Sequence, residues 1–268
     1  MIELQNISAF YGRKQVLTDL SLKIDKGETV ALIGPNGAGK TTLLKVISGA
    51  VKAQGNTFVN DTPIQELSGY ERAGIISVVP QQIAADTPLK GYDFVMLGRT
   101  HCMPRFAPPS ENDREAVEEA MQCTATQTLS ERYIADMSGG ERQRLALAMA
   151  FAAQPQIILL DEATAHLDLH HRAEIMQLLR EMNRSQGLTI LMAVHDLSLA
   201  GRYFDRLILL KNGCILKEGP PSEVLTEKNI KEAYGCPVRV VELPDSLGVA
   251  IIPMEHSEGR TRTSNAER

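Results

Sequence analysis

The stretch GPNGAGKTT occupies residues 34–42. Its spacing fits G-x-x-x-x-G-K-[ST], where small residues let backbone N–H groups wrap phosphate oxygens. ETVALIG (28–34) before it reads as a buried strand, and TTLLKVISG (41–49) after it reads as a helix. The positive end of that helix therefore joins the phosphate site. Lys40 is placed to reach the β- and γ-phosphates of a nucleotide, and the Thr41 hydroxyl to ligate Mg²⁺.

Two carboxylates follow a second apolar strand in IILLDEA (157–163). Open α/β sheets bind ligands where their strands end, so this placement suits Asp161 as a partner of Mg²⁺. Glu162 beside it is the expected general base or water-orienting carboxylate for hydrolysis at the γ-phosphate. His195 follows LTILMAV (188–194), another core strand. A neutral imidazole there could hydrogen-bond the γ-phosphate or the attacking water. Gln81 follows GIISVVP (74–80), and its amide can ligate Mg²⁺ and a water without adding charge.

A second open helix start occurs in MSGGE (137–141), ahead of the helix-prone run RQRLALAMAFAA. Ser138 and Glu141 have the spacing of a capping box. Gly139 and Gly140 between them are poor first-turn residues unless something approaches the backbone closely. One nucleotide does not need two such helix ends from one chain. Two copies arranged head to tail would place the second opposite the first.

The elements that must position these groups alternate. Strands are expected at 2–10, 15–24, 28–34, 55–59, 74–80, 156–162, 188–194 and 205–210, with a helix at 171–184 joining two of the later ones. Continuous apolar strands alternating with helices predict a parallel sheet covered on both faces. Residues 86–153 are helical in character, with an S-x-x-D start at Ser110 and Asp113. KNGCILKEG (211–219) reads as a hairpin with Asn-Gly at its turn, PSEVLTEKNIKEAYG as one or two closing helices, and the polar tail beyond about 254 as disordered. The chain has 268 residues, 43% hydrophobic and 23% charged, enough for a sizeable core. Its formal charge of −5 offers no broad surface for nucleic acid. The four cysteines show no C-x-x-C spacing and read as isolated thiols in a reducing compartment. No signal peptide or membrane-length apolar run is evident, so a role at a membrane would be exerted from outside the bilayer.

Together these motifs resemble the ATP-binding subunits of ABC transporters over residues 1 to about 240. Tyr11 resembles the aromatic that stacks on adenine. GPNGAGKTT (Gly34, Pro35, Asn36, Gly37, Ala38, Gly39, Lys40, Thr41, Thr42) resembles the Walker A loop, and Gln81 the Q-loop glutamine. MSGGE is similar to the LSGGQ signature, with Met137 and Glu141 where Leu and Gln are commonest. ILLDE resembles Walker B, AHLD (165–168) the D-loop with its Asp168, and His195 the switch histidine. The resemblance implies an α/β fold: a P-loop NTPase (RecA-like) core with an antiparallel β subdomain and an ABC-type α-helical subdomain. The core would span 1–85 and 154–240, the helical subdomain 86–153, and a C-terminal extension 241–268. It implies ATP and Mg²⁺, catalysis by Glu162, His195 and Gln81, and metal contacts from Thr41, Gln81 and Asp161. Each ATP in a homodimer would meet Ser138, Gly139, Gly140 and Glu141 of the other copy. Integral membrane permease subunits would be direct partners at the cytoplasmic face of the membrane, and a secreted or periplasmic substrate-binding protein an indirect one. VMLGR (95–99), TAHLDL and AVHDLSLA look like importers of iron-siderophores, haem and cobalamin. Soluble ABC ATPases of translation, repair or Fe–S assembly are the alternative, but this chain has neither a second cassette nor a long coiled-coil insertion. A P-loop kinase or GTPase would leave MSGGE unexplained.

Overall fold

A computed structural model describes residues 1–81, 83–84, 86–104, 107–163, 167–244 and 248–254. Strands β1 (Ile2–Tyr11) and β2 (Lys14–Ile24) form an antiparallel hairpin. Alternation, reset by register shifts near Asn6 and Asp19, puts Ile2, Leu4, Ile7 and Ala9 of β1 on the same buried face as Leu17, Leu20, Leu22 and Ile24 of β2. The next elements are β3 (Thr29–Ile33), α1 (Lys40–Ile47), β4 (Gln54–Val59) and β5 (Thr62–Pro63). β4 pairs with β1, and β5 with β4, completing an antiparallel sheet in the order β2-β1-β4-β5. Its buried face closes over Leu43, Leu44, Val46 and Ile47 of α1 and over one face of a second sheet. Each large side chain so removed from water contributes about 1.5–3 kcal/mol.

Then come α2 (Gly69–Ile75), β6 (Ile76–Val79), α3 (Gly91–Met96), α4 (Glu111–Cys123), α5 (Gly139–Ala152), β7 (Ile157–Asp161), α6 (Leu169–Gln186) and β8 (Thr189–Ala193). The chain continues through α7 (Leu197–Tyr203), β9 (Arg206–Lys211), β10 (Cys214–Gly219), α8 (Pro221–Val224), α9 (Glu227–Tyr234), β11 (Val238–Glu242) and β12 (Val249–Pro253). The central sheet has the order β10-β9-β3-β8-β7-β6. All its pairings are parallel except β9 with the edge strand β10. β3 and β8 are buried along their whole length, as a sheet covered on both faces requires.

The expected strands and the 171–184 helix are present, with shifted ends. Gly74 and Ile75 differ: they close α2, whose Ser68–Glu71 capping box starts a helix just before the strand. The short α7, the two-residue β5 and the hairpin β11–β12 were not expected from periodicity. β11 pairs with β12 from Val238↔Pro253 to Glu242↔Val249, so residue 240 lies inside a strand. This hairpin rests on α7, where the Ile251 N–H donates to Ser198 Oγ at 3.3 Å. Two sequence readings, Ala165 and His166 of the D-loop and the tail 255–268, lie outside the described residues.

The helices α3, α4 and α5 pack through Phe94, Val95, Val117, Met121, Leu147 and Phe151. Arg99, in the turn after α3, crosses this cluster. Its Nε donates to Asp113 Oδ1 at 2.9 Å, and one terminal nitrogen donates to the Ala152 carbonyl at 2.9 Å and Gln154 Oε1 at 3.1 Å. Both charges are buried, with side-chain exposure of 8% each. The Ser110 hydroxyl first, with its N–H and Arg99, holds the Asp113 carboxyl below the ordinary aspartate value against the effect of burial. The arginine of VMLGR is thus a clamp on the start of α4 and the end of α5. Breaking a buried pair by removing one partner is strongly destabilising, so Arg99→Ala should cost about 3 kcal/mol or more of unfolding free energy, measured by urea denaturation. A loss under about 1 kcal/mol would mean that the clamp carries little of the subdomain's stability.

Candidate functional site

The loop between β3 and α1 is braced from two sides. Gly34 (φ 145°) passes so close to the Leu210 carbonyl that a Cβ would clash with it. Gly39 (φ 107°) caps α1 in a conformation L side chains rarely adopt, with Leu17 Cδ2 2.6 Å from where a Cβ would stand. The Asn212–Gly213 turn between β9 and β10 supplies the second brace. Its Gly213 N–H donates to the Ala38 carbonyl at 3.1 Å, and its Gly213 carbonyl accepts from the Thr18 N–H at 3.0 Å. Lys40 is buried and donates to the carbonyls of Gly34 (2.7 Å) and Pro35 (3.2 Å). Tyr11 stands at the tip of the β1–β2 hairpin, half exposed. The same end of this hairpin meets the loop through Val16 and Leu17.

β3, β8, β7 and β6 are neighbours, so their carboxyl ends line one edge. That edge gathers Lys40, His195, Asp161, Glu162 and Gln81. Thr41 Oγ1 donates to Asp161 Oδ1 at 3.0 Å. Gln81 Nε2 donates to Glu162 Oε2 at 2.9 Å. The other oxygen, Oε1, pairs with His195 Nε2, which requires a proton on that nitrogen. Glu162 has φ 54°, rare for a residue with a side chain, and its N–H donates to the Ala193 carbonyl at 3.3 Å. A carboxylate held by an amide and an imidazole, in a strained backbone, is fixed in direction.

The MSGGE stretch forms the expected capping box. Glu141 N–H donates to Ser138 Oγ at 3.2 Å, and Ser138 N–H donates to Glu141 Oε2 at 2.7 Å. Nothing lies within 4 Å of a Cβ added at Gly139. Among the described residues, no hydrogen bond joins Ser138, Gly139, Gly140 or Glu141 to residues 34–42. The helix start instead borders a cleft of roughly 260 Å³ with Gln81 and Glu162, lined also by Arg142, Gln143 and Leu167. Asp168 caps α6, accepting from His171 N–H at 2.9 Å and pairing with its Nδ1 at 2.8 Å.

The sequence profile of the family described as ABC transporter matches residues 17–165. The iron(3+)-hydroxamate import ATP-binding protein of Bacillus subtilis is 37% identical over 87% of this chain and 87% of its own length. The ferric enterobactin transport ATP-binding protein of Escherichia coli is 34% identical over 98% of this chain and 96% of its own. The chain belongs to the ABC transporter family. A dimeric ATP-binding cassette solved in a post-hydrolysis state with ADP and Pi superimposes with a TM-score of 0.75, at 30% identity over 82% of this chain and 99% of that one. An inward-facing ABC transporter assigned to the metal-chelate type gives a TM-score of 0.83 at 25% identity, covering 95% of this chain and 98% of that chain. The protein is an ABC-type ATPase. No helix among its described residues is long and apolar enough to cross a membrane.

Sequence spacing did not reveal four supporting residues of this ABC ATPase. Gly213 braces the β3–α1 loop from 175 positions away in the chain, by its bond to Ala38. Lys45 adds a positive charge beside Asp161. Gln143, on α5, donates to the Pro80 carbonyl at 3.3 Å and so ties that helix to the strand end carrying Gln81. Arg132 donates to Glu141 Oε1 at 2.8 Å. None shares a helical or strand period with the residue it supports.

Charge is costly at this edge. Burial lowers the Lys40 ammonium from its usual value, opposed by Glu162 and Asp161. Burial also raises Asp161, the Thr41 hydroxyl opposes that, and the Glu162 charge raises it further. A carboxyl with a raised folded-state pKa weakens the fold above that pKa, and the penalty disappears below the unfolded value. Asp161→Asn should therefore melt higher than the parent ABC ATPase at neutral pH, and the gap should shrink as pH falls towards the ordinary aspartate value of 3.8. Thermal melts of both proteins between neutral and acid pH check this; a gap that widens on acidification would show the opposite shift.

Proposed function

We propose that this ATPase is the energy-coupling subunit of an importer for an iron chelate, haem or cobalamin. The observation that carries this reading is the near full-length match to relatives named for iron(3+)-hydroxamate import and ferric enterobactin transport. A hemin import ATP-binding protein of Rhodococcus jostii, 36% identical over 92% of this chain, supports the same ligand class. In this reading the core spans 1–85 and 154–240 and the helical subdomain 86–153. The subunit works at the cytoplasmic face of the membrane against integral permease subunits, which are served by a separate substrate-binding protein.

Hydrolysis follows from the strand edge. Lys40 and the P-loop N–H groups hold the triphosphate, with Tyr11 against the base. Glu162 acts as general base or orients the attacking water. Gln81 and His195 hold its two oxygens, so the carboxylate keeps one direction while water is engaged. The donor set suits Mg²⁺: one carboxylate, Asp161, and one hydroxyl, Thr41, already within hydrogen-bond distance, with Gln81 lining the same hollow. Mg²⁺ takes one or two carboxylates together with substrate phosphate oxygens and water, and would supply charge stabilisation when bound.

The open start of α5 completes the site from a second copy. In this reading Gly139 and Gly140 offer their N–H groups and Ser138 its hydroxyl to the γ-phosphate, and Asp168 stands beside the same contact. Glu162→Gln should lower kcat by about a hundredfold or more while ATP still binds and a dimer accumulates. Turnover near the parent rate would remove Glu162 from the mechanism. Ser138→Arg should abolish ATP-dependent dimerisation, seen by sedimentation, with nucleotide binding by the monomer retained. For the transport role, affinity capture from membranes should recover an integral membrane protein; ribosomal or DNA-repair proteins in its place would favour a soluble ABC ATPase.

A further inference from the structure

The glutamate of MSGGE sets an electrostatic problem. A γ-phosphate approaching the start of α5 is drawn by the helix dipole and repelled by a carboxylate in the first turn. A glutamine at 141 could complete the same capping box without charge, since an amide oxygen also accepts from the Ser138 N–H.

The structure answers with Arg132. Its guanidinium donates to Glu141 Oε1 at 2.8 Å and to the Asp136 carbonyl at 2.5 Å. The other oxygen of Glu141 accepts from the Ser138 N–H at 2.7 Å. Each carboxylate oxygen therefore has its own donor. Hydrogen bonds from the Ser138 backbone and hydroxyl, with Arg132, keep the Glu141 carboxyl ionised below its usual value. The base of Arg132 is fixed as well. Its N–H donates to the Leu129 carbonyl at 3.2 Å, and its carbonyl accepts from the Gly91 N–H at 2.9 Å. Two residues on, Ile134 is fully buried and anchors the strap. The guanidinium thus starts from a held backbone and bridges the strap to the helix entrance.

We infer that Arg132 is a positioning residue for the partner-borne half of the nucleotide site: it cancels the charge of Glu141 and fixes its carboxylate in the cap, so that the helix entrance stays attractive to a γ-phosphate. This rests on the reading that Ser138–Glu141 faces the ATP of a second copy. Its consequence is specific. Arg132 matters to ATP-driven pairing because residue 141 is a glutamate, and loses that importance when the charge is removed.

The test is a double-mutant cycle in the hydrolysis-blocked Glu162→Gln chain, reading the ATP concentration that gives half-maximal dimer by sedimentation. Arg132→Gln should raise that concentration by about fivefold, the scale of one partly exposed ion pair. Arg132→Lys, which keeps the charge, should lose less. In the Glu141→Gln background the same Arg132→Gln change should have no effect. Melting temperatures of every variant report folding separately. A fivefold loss that persists in the Glu141→Gln background would assign Arg132 a structural role and overturn the inference, as would Arg132→Gln pairing like its parent. If the Glu162→Gln chain itself does not dimerise with ATP, the shared-site reading fails, and the cycle identifies that failure before Arg132 is tested.

Discussion

Parallel pairing of β3, β8, β7 and β6 decides where the chemistry stands. Ala193 of β8 lies opposite Asp161 of β7 and also opposite Leu32 of β3, so three strands end within a residue of one another. The groups that follow are then forced into one line: the P-loop after β3, His195 after β8, Glu162 after β7 and Gln81 after β6. A slip of one residue between β7 and β8 would turn every side chain of the strand to the opposite face. The apolar runs on both faces prevent that slip, because each position is buried against its own core cluster. The geometry of this edge follows from hydrophobic register.

On that edge, direction matters more than proximity. Glu162 is bonded on both oxygens and sits at a positive φ. Such a backbone costs of order 1–3 kcal/mol and persists where the surroundings over-determine it. Here they do so through the Ala193 carbonyl and through two side chains from neighbouring strands. Gln81 and His195 thereby act on the same carboxylate from opposite sides. A change at the start of α5 can reach this carboxylate along a short covalent and hydrogen-bonded route, since Gln143 of that helix bonds Pro80, the residue before Gln81.

Much of this was legible in the residue order, and the reason is local. GPNGAGKTT, ILLDE, His195 and MSGGE each place the residues of a proposed role within a few consecutive positions beside a strand or helix that periodicity reveals. Capping boxes at Ser110 and Ser138 have a fixed three-residue spacing and were found for that reason. What escaped is non-local or short. Gly213 acts on Ala38, Arg132 on Glu141 and Gln143 on Pro80, and no spacing rule joins those pairs. Helix α2 was hidden because GYERAGI is too short for a helical period and runs directly into the apolar ISVV of β6. The hairpin β11–β12 escaped because its strands are only half buried, with Val241 and Ile252 exposed, so the alternation is weak.

The unfavourable terms fall in one place. A buried ammonium at Lys40, a carboxyl raised by burial at Asp161 and a strained backbone at Glu162 lie on the same strand edge. Away from it, charges are handled differently: Arg99 and Asp113 are buried as a bonded pair, and Arg206 bridges Glu28 and Glu218. The protein can satisfy buried charge with its own side chains and does so where only stability is at stake. At the edge, Lys40 is met by carbonyls rather than by a carboxylate bonded to it. An ammonium held that way keeps its charge available to a phosphate, which a tight ion pair would not allow. In the proposed shared site the glutamate at 141 is the opposite case, a charge beside the incoming phosphate that is cancelled rather than kept free. An available cation at the β3–α1 loop and a paired anion at the start of α5 are the arrangement that the proposed shared site needs on its two faces.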